Sequence, residues 1–441
     1  MTPIPQLPLP DDIRTLARVM KNPSAFLLDL SCMTGDIGVL KAGPVQIVCV
    51  NRPDLVHEAL VEKARSFRKM PAVKTLKAFT GDGLLVNDGA IWAKHRKLAA
   101  PAFHHQRIAG YQRIVAESVD EAIAGWREGQ LLDMERTFKD LTLRIIGRAL
   151  FSAELDDIAP GLGRDIDTAL DYVNRLSIFG LFPMGSHLVP DSRSGKAAIA
   201  RIDAAIRRLI AQRRTSNSDR HDDLLTLFIA TRTSDGEALS DDEVRDEAIT
   251  LFVAGHETVA TVLTWLVYLV ARNETVRVRL EAEARRELSG GAPLLEALSR
   301  LPYALQVFKE SMRLYPSGFT IGRQAAEGVQ LGGYDVPRGA WVMVSPYSVQ
   351  RNAAIFSDPA RFDPDRFAGE AERALPKGAY LPFGLGARAC IGAQFALMEG
   401  HTVVAALAQH VRLIDETPGA AGIRPMIALS PDRKILMRVT R

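Results

Sequence analysis

The stretch from Ser240 to about Arg272 constrains this chain more than any other. Ser240-Asp241-Asp242-Glu243 reads as a capping box, in which the serine hydroxyl accepts from the Glu243 amide and the glutamate reaches back. Leu239 and Val244 take the flanking staple positions, and no proline interrupts the pattern up to Arg272. At about 1.5 Å per residue this is roughly 45–50 Å of helix, enough to cross a large domain. Its side chains are mostly apolar, so it is expected to run buried.

The rest of the chain fits around such a helix. Short extended runs such as Val45 to Val50 precede residue 60, and helical patterns dominate from Asp88 to about Glu310. Strand and turn signals return at Val329 to Val336 and Ala340 to Val344, and one more helix opens near Ile391. The polar stretch Arg213 to Asp223 reads as a loop. The expectation is a mainly α chain with small β-sheets, an α+β class, forming one large domain over residues 1–441 with a proline-rich lead-in over 1–20.

Composition narrows the function. Among 441 residues, 47% are hydrophobic and 24% charged, which excludes collagen-like, disordered and low-complexity chains. A net charge of +3, from 55 basic and 52 acidic side chains, lacks the basic excess of a nucleic-acid binder. The 3 cysteines cannot form a disulfide framework, which points to a reducing compartment. Met1 to Pro10 carries no signal-peptide pattern, and the apolar run Val259 to Val270 is short for a bilayer. A cytoplasmic protein without a membrane anchor is expected.

Four windows carry chemistry. In Phe383-Gly384-Leu385-Gly386-Ala387-Arg388-Ala389-Cys390-Ile391-Gly392 a glycine-rich loop delivers a lone cysteine to a helix N-terminus. The helix end and nearby Arg388 would favour thiolate, and the glycines would let a flat cofactor approach. A lone thiolate suits one axial bond to heme iron, and a buried structural cysteine is the alternative. Gly384, Gly386 and Ala389 also match a dinucleotide fingerprint, but Pro382 replaces the preceding strand and the downstream acid is missing. In Ala254-Gly255-His256-Glu257-Thr258, a glycine, an acid and a hydroxyl interrupt the apolar helix, which suggests that something lies against the backbone at Gly255. Ala260 stands where a zinc H-E-x-x-H motif needs histidine. Glu310 and Arg313 share a helix face, in isolation an ordinary surface ion pair. Trp92 and Arg96, one turn apart, can address the same anion or form a solvated basic face.

Together and in order, these windows resemble the cytochrome P450 family. The cysteine window matches F-x-x-G-x-R-x-C-x-G, Ala254 to Thr258 matches A-G-x-[D/E]-T, and Glu310 to Arg313 matches E-x-x-R. Phe362 to Phe367 is similar to F-x-P-x-R-F, and Trp92 to Arg96 to W-x-x-x-R. The resemblance implies heme b, with Cys390 as its axial thiolate ligand beside Phe383 and Gly392. Thr258 would hydrogen-bond dioxygen and Glu257 would relay protons. Trp92, Arg96 and Arg323, with His95 and Arg388, would hold the heme propionates. Glu310, Arg313 and Arg366 would lock the fold around the cysteine loop. Leu84, Leu85, Phe252, Val253, Gly318, Phe319, Thr320, Ile321, Met426 and Ile427 would line an apolar pocket, under a lid at Ile178 to Pro190.

The activity implied is a monooxygenase that inserts one atom of O2 into a small lipophilic substrate, such as a terpenoid, fatty acid or polyketide. Electrons would come from a separate ferredoxin or flavodoxin with its reductase, docking near Lys94, Lys97, Arg107 and Arg113. Soluble character resembles the family's bacterial members. A peroxide-dependent heme-thiolate peroxygenase or isomerase, and a non-enzymatic heme sensor, are the competing readings. The pairing of Thr258 with Glu257 argues against both.

Overall fold

The capping box starts the long helix at its expected place: the Ser240 hydroxyl accepts from the Glu243 amide at 3.2 Å, and Glu243 accepts from the Ser240 amide at 2.8 Å. The computed structural model describes residues 4–7, 23–42, 45–179, 192–215, 223–232, 236–288 and 294–441. Five strands, β1 (Ile37–Ala42), β2 (Val45–Val50), β3 (Phe67–Lys69), β4 (Ile321–Ala325) and β5 (Trp341–Val344), form one sheet in the order β1-β2-β5-β4-β3. Only its β2–β5 pairing is parallel. The long helices are α1 (Gly89–Ala99), α2 (His105–Ala124), α3 (Met134–Phe151), α4 (Leu162–Phe179), α5 (Arg193–Thr215), α6 (Asp241–Ala271), α7 (Glu274–Glu287), α8 (Pro302–Leu314) and α9 (Ala393–His410). A short hairpin pairs Ile423–Pro425 with Leu429–Pro431. The mainly helical, α+β expectation holds.

Helix α6 is the axis. It packs against α3, α5 and α8, and an apolar cluster running from Phe79 to Val439 surrounds it. By length and composition it could cross a membrane, but 67% of its most apolar window is buried inside the protein. Burial also explains its polar members. Trp265 donates to the Leu429 carbonyl at 2.7 Å and stacks on Tyr315 with ring centroids 3.8 Å apart. Gly255 is small because of a neighbouring helix: a methyl group there would meet Ile146 of α3 at 3.1 Å. His256, neutral because burial drives its pKa down to about 3, meets the Thr142 hydroxyl of α3 at 3.1 Å.

Two sequence expectations change. Arg213 belongs to α5 and pairs with Asp223 at 2.8 Å, both nearly inaccessible, so the ends of the expected loop are buried anchors. Residues 216–222 between them, and 180–190 of the expected lid, lie outside the described residues.

Glu310 and Arg313, expected in isolation to be a surface pair, are both 0% exposed. Their contact is bidentate, 2.7 Å at each end. Arg313 also donates to the carbonyls of Gln350, Pro359 and Arg361, while Glu310 accepts from the Asp363 amide at 2.9 Å and meets Arg366 at 3.5 Å. One ion pair therefore satisfies the backbone of an irregular segment that has little regular secondary structure of its own. Removing one member leaves the other charge buried and unpaired. Glu310→Gln is expected to lower stability by about 3–5 kcal/mol, read from the denaturant midpoint; unchanged stability would refute the anchoring role.

Candidate cofactor and active site

The cysteine loop is shaped by its backbone. Gly384 and Gly386 adopt φ of +70° and +74°, and a methyl group on Gly386 would run into the Leu60 carbonyl. The Cys390 amide donates to the Phe383 carbonyl at 2.8 Å, closing the loop, and Gly392 caps α9. Cys390 is a free thiol with an exposed surface. Burial raises its pKa against the Gly392 amide and the Arg96 charge, so the helix end alone does not hold a thiolate. The cation acting on the sulfur is Arg96, which also donates to the Ala389 carbonyl at 2.8 Å. Arg388, expected in that role, is engaged by Asp88 and lies 4.8 Å over the Trp92 ring.

Around Arg388 of the cysteine loop, positive charge accumulates. Burial and then Arg388 push the Arg323 pKa down to about 10, and Lys69 falls to about 7 through burial, Arg388 and Arg323. Nη1 of Arg388 is buried without a hydrogen-bond partner. Lys69 escaped the sequence reading because it sits on a three-residue strand with no motif. Asp88 is the N-cap of α1, where its side chain accepts from the Gly89 amide.

His95 departs from the rest of the expected propionate set. It points away from Arg96 into α6, with Nδ1 2.6 Å from Glu247 and Nε2 3.2 Å from Glu243. Both ring nitrogens are therefore taken.

Along α6, Ala254 is exposed although its neighbours Leu251, Phe252, His256 and Glu257 are buried. The Thr258 hydroxyl donates to the Ala254 carbonyl at 2.6 Å. Glu257 is buried with Oε2 unpartnered; burial raises its pKa against the pull of Lys139. It lines a charged cleft of about 470 Å³ together with Lys139, Asp167 and Asp171. Of the expected pocket residues, Phe252 turns into the core and stacks on Phe151 at 6.1 Å, and Phe319 packs with Leu28 and Leu429. Leu84 is buried beside the exposed Leu85 and Gly318, while Val253, Thr320, Ile321, Met426 and Ile427 are half-buried.

The family model for Cytochrome P450 matches residues 5–433. The chain belongs to the cytochrome P450 family. Cyclooctatin synthase of Streptomyces melanosporofaciens is 34% identical, over 96% of this chain and 92% of the relative. Pentalenene oxygenase of Streptomyces avermitilis is 29% identical, over 96% and 94%. The crystal structure of the cytochrome P450DA heme domain superposes with a TM-score of 0.87 at 26% identity, covering 100% of this chain and 97% of that one. As a cytochrome P450 the chain is a heme-dependent monooxygenase.

The residues present suit heme b. A crowd of cations with one orphaned guanidinium nitrogen matches a group carrying two carboxylates, and a thiol raised by burial becomes a thiolate when a metal binds it. Cys390 would hold the iron, with Arg96, Arg323, Arg388, Trp92 and Lys69 around the propionates. Because Gly386 cannot take a side chain without displacing Leu60, Gly386→Ala is expected to reduce heme content per purified cytochrome P450 severalfold, read from the Soret-to-protein absorbance ratio. Full heme loading would show that the loop tolerates the shift.

Proposed function

We propose that this cytochrome P450 oxygenates a small lipophilic terpenoid, taking electrons from a separate ferredoxin or flavodoxin system in the cytoplasm. The observation that carries the reading is the placement of Glu257 and Thr258 together on α6, the acid unpartnered beside a charged cleft and the hydroxyl one turn from exposed Ala254. Relatives named cyclooctat-9-en-7-ol 5-monooxygenase, 34% identical, and pentalenene oxygenase support the substrate class. The half-buried apolar side chains Val253, Ile321, Met426 and Ile427 suit such a molecule.

The bound heme supplies oxygen activation and insertion, with Cys390 as its thiolate ligand. The protein's own residues manage protons and orientation. Glu257, buried on α6 with its pKa raised by burial, is placed to exchange protons with the cleft. Thr258 presents its hydroxyl on the neighbouring position of the same helix, where it can release its bond to the Ala254 carbonyl and donate elsewhere. Trp92, Arg96, Arg323 and Arg388 orient the cofactor's anionic edge.

Reduced protein under carbon monoxide is expected to show the strongly red-shifted Soret band of a thiolate-ligated heme. Cys390→Ser is expected to lose that band and all oxygenation; a persisting band would remove Cys390 from the iron. Thr258→Ala is expected to keep the band but divert reducing equivalents to hydrogen peroxide, so coupling of electron use to product falls about tenfold or more. Normal coupling in that variant would remove Thr258 from the proton path, and full turnover on peroxide with none on reductant would favour the peroxygenase reading.

A further inference from the structure

His95 carries a consequence beyond the cofactor. The residue is 1% exposed, and each ring nitrogen faces a carboxylate oxygen of α6: Glu247 at 2.6 Å, Glu243 at 3.2 Å. Neither contact tolerates a bare nitrogen lone pair against a carboxylate lone pair. The arrangement is satisfied when one proton more than neutral histidine and two carboxylates is present, either on the ring or shared with Glu247. When that proton leaves to solvent, the buried cluster goes from one net negative charge to two.

The Leu84 amide also faces Glu247, and the neighbouring Asp246 accepts from the Asp82 amide at 2.7 Å. Lys69 ties the same segment down from the other side, donating to the carbonyls of Leu84 and Leu85 at 2.6 and 2.8 Å. Contact with α6 is close, since a methyl group on Gly83 would run into Thr250. The segment 81–87 thus lies flat on the first turns of α6, and His95 is the protonatable group between that surface and α1. We propose that His95 is a positioning residue that clamps α1 and segment 81–87 onto the first turns of α6, and that loss of the cluster's proton loosens this clamp.

The sign follows from the surroundings. Burial works against a charged His95, but Glu247 and Glu243 outweigh it and raise its pKa above the ordinary 6.5. Glu243 stays ionised, held down to about 2 by the Ser240 amide, Lys94 and His95 despite its burial. Glu247 is raised by burial against His95 and the Leu84 amide, with Asp246 adding to the rise. Lys69 also faces Glu247. The clamp is therefore complete below the ordinary histidine range and lost as pH rises through the elevated value.

Hydrogen exchange of the heme-loaded enzyme, corrected for intrinsic chemical rates, tests this at the amides of residues 82–87 between about pH 6 and pH 9. Protection is expected to fall about tenfold across that range, equivalent to roughly 1.4 kcal/mol, while the interior of α9 stays unchanged. His95→Gln is expected to show low, flat protection. Glu243→Gln, at a residue 29% exposed, is expected to move the transition to lower pH. A flat wild-type profile overturns the proposal, even where His95→Gln fails to fold, as does a His95→Gln profile that follows the wild type. Only the link from the clamp to substrate binding rests on the proposed function, through the placing of Leu84 and Leu85 on the substrate side. Spectral titration with a lipophilic azole at both pH extremes separates the two: loosening without any change in azole affinity keeps the clamp and removes that segment from the pocket.

Discussion

A carboxylate and a guanidinium with no access to solvent, Glu310 and Arg313, hold together the part of this protein that has least regular structure. Between β5 and α9 the chain runs through turns and single helical turns, where the backbone cannot satisfy itself. Arg313 supplies donors to carbonyls at Gln350, Pro359 and Arg361, and Glu310 accepts from Asp363. Such a pair is expensive to bury and adds little net stability over an apolar replacement. Its value lies in specificity: one geometry satisfies it, and that geometry delivers the following glycine loop to a fixed place beneath α6.

Helix α6 divides its labour by face. One side is core, packed by Phe252 on Phe151 and by His256 on Thr142 of α3. A second carries Thr258 and exposed Ala254. A third turns Glu257 toward a charged cleft. The first turns, through Glu243, Asp246 and Glu247, grip α1 and segment 81–87. The motif residues cluster because a helix has few faces, and each is committed to a different neighbour.

The sequence was legible where chemistry is local. A capping box and a cysteine at a helix start need only neighbours, and α6 and α9 lie where those signals put them. Identity at the site was legible through motif order, since Cys390, Thr258 and Glu310 to Arg313 stand in fixed sequence patterns. Direction was not. Phe252 and Val253 are adjacent in sequence, but which one faces the core depends on Phe151 from another helix. His95 has Arg96 as its neighbour and yet serves the opposite side, because two acids of α6 wait there. The glycine at 255 suggested that something lies close against the backbone, and the structure puts the Ile146 side chain of α3 there. Lys69 had no local signal at all.

The gathering of Arg323, Arg388 and Lys69 has a consequence for assembly. Like charges held near one another and partly buried make the polypeptide alone less stable than its apolar core would allow, and a ligand bearing two negative charges relieves that repulsion only in the folded state. By mass action such a ligand shifts the folding equilibrium in proportion to its supply. The abundance of this protein in a cell is then tied to the availability of porphyrin as much as to its own synthesis, so that chains made in excess of cofactor are the ones left for proteases.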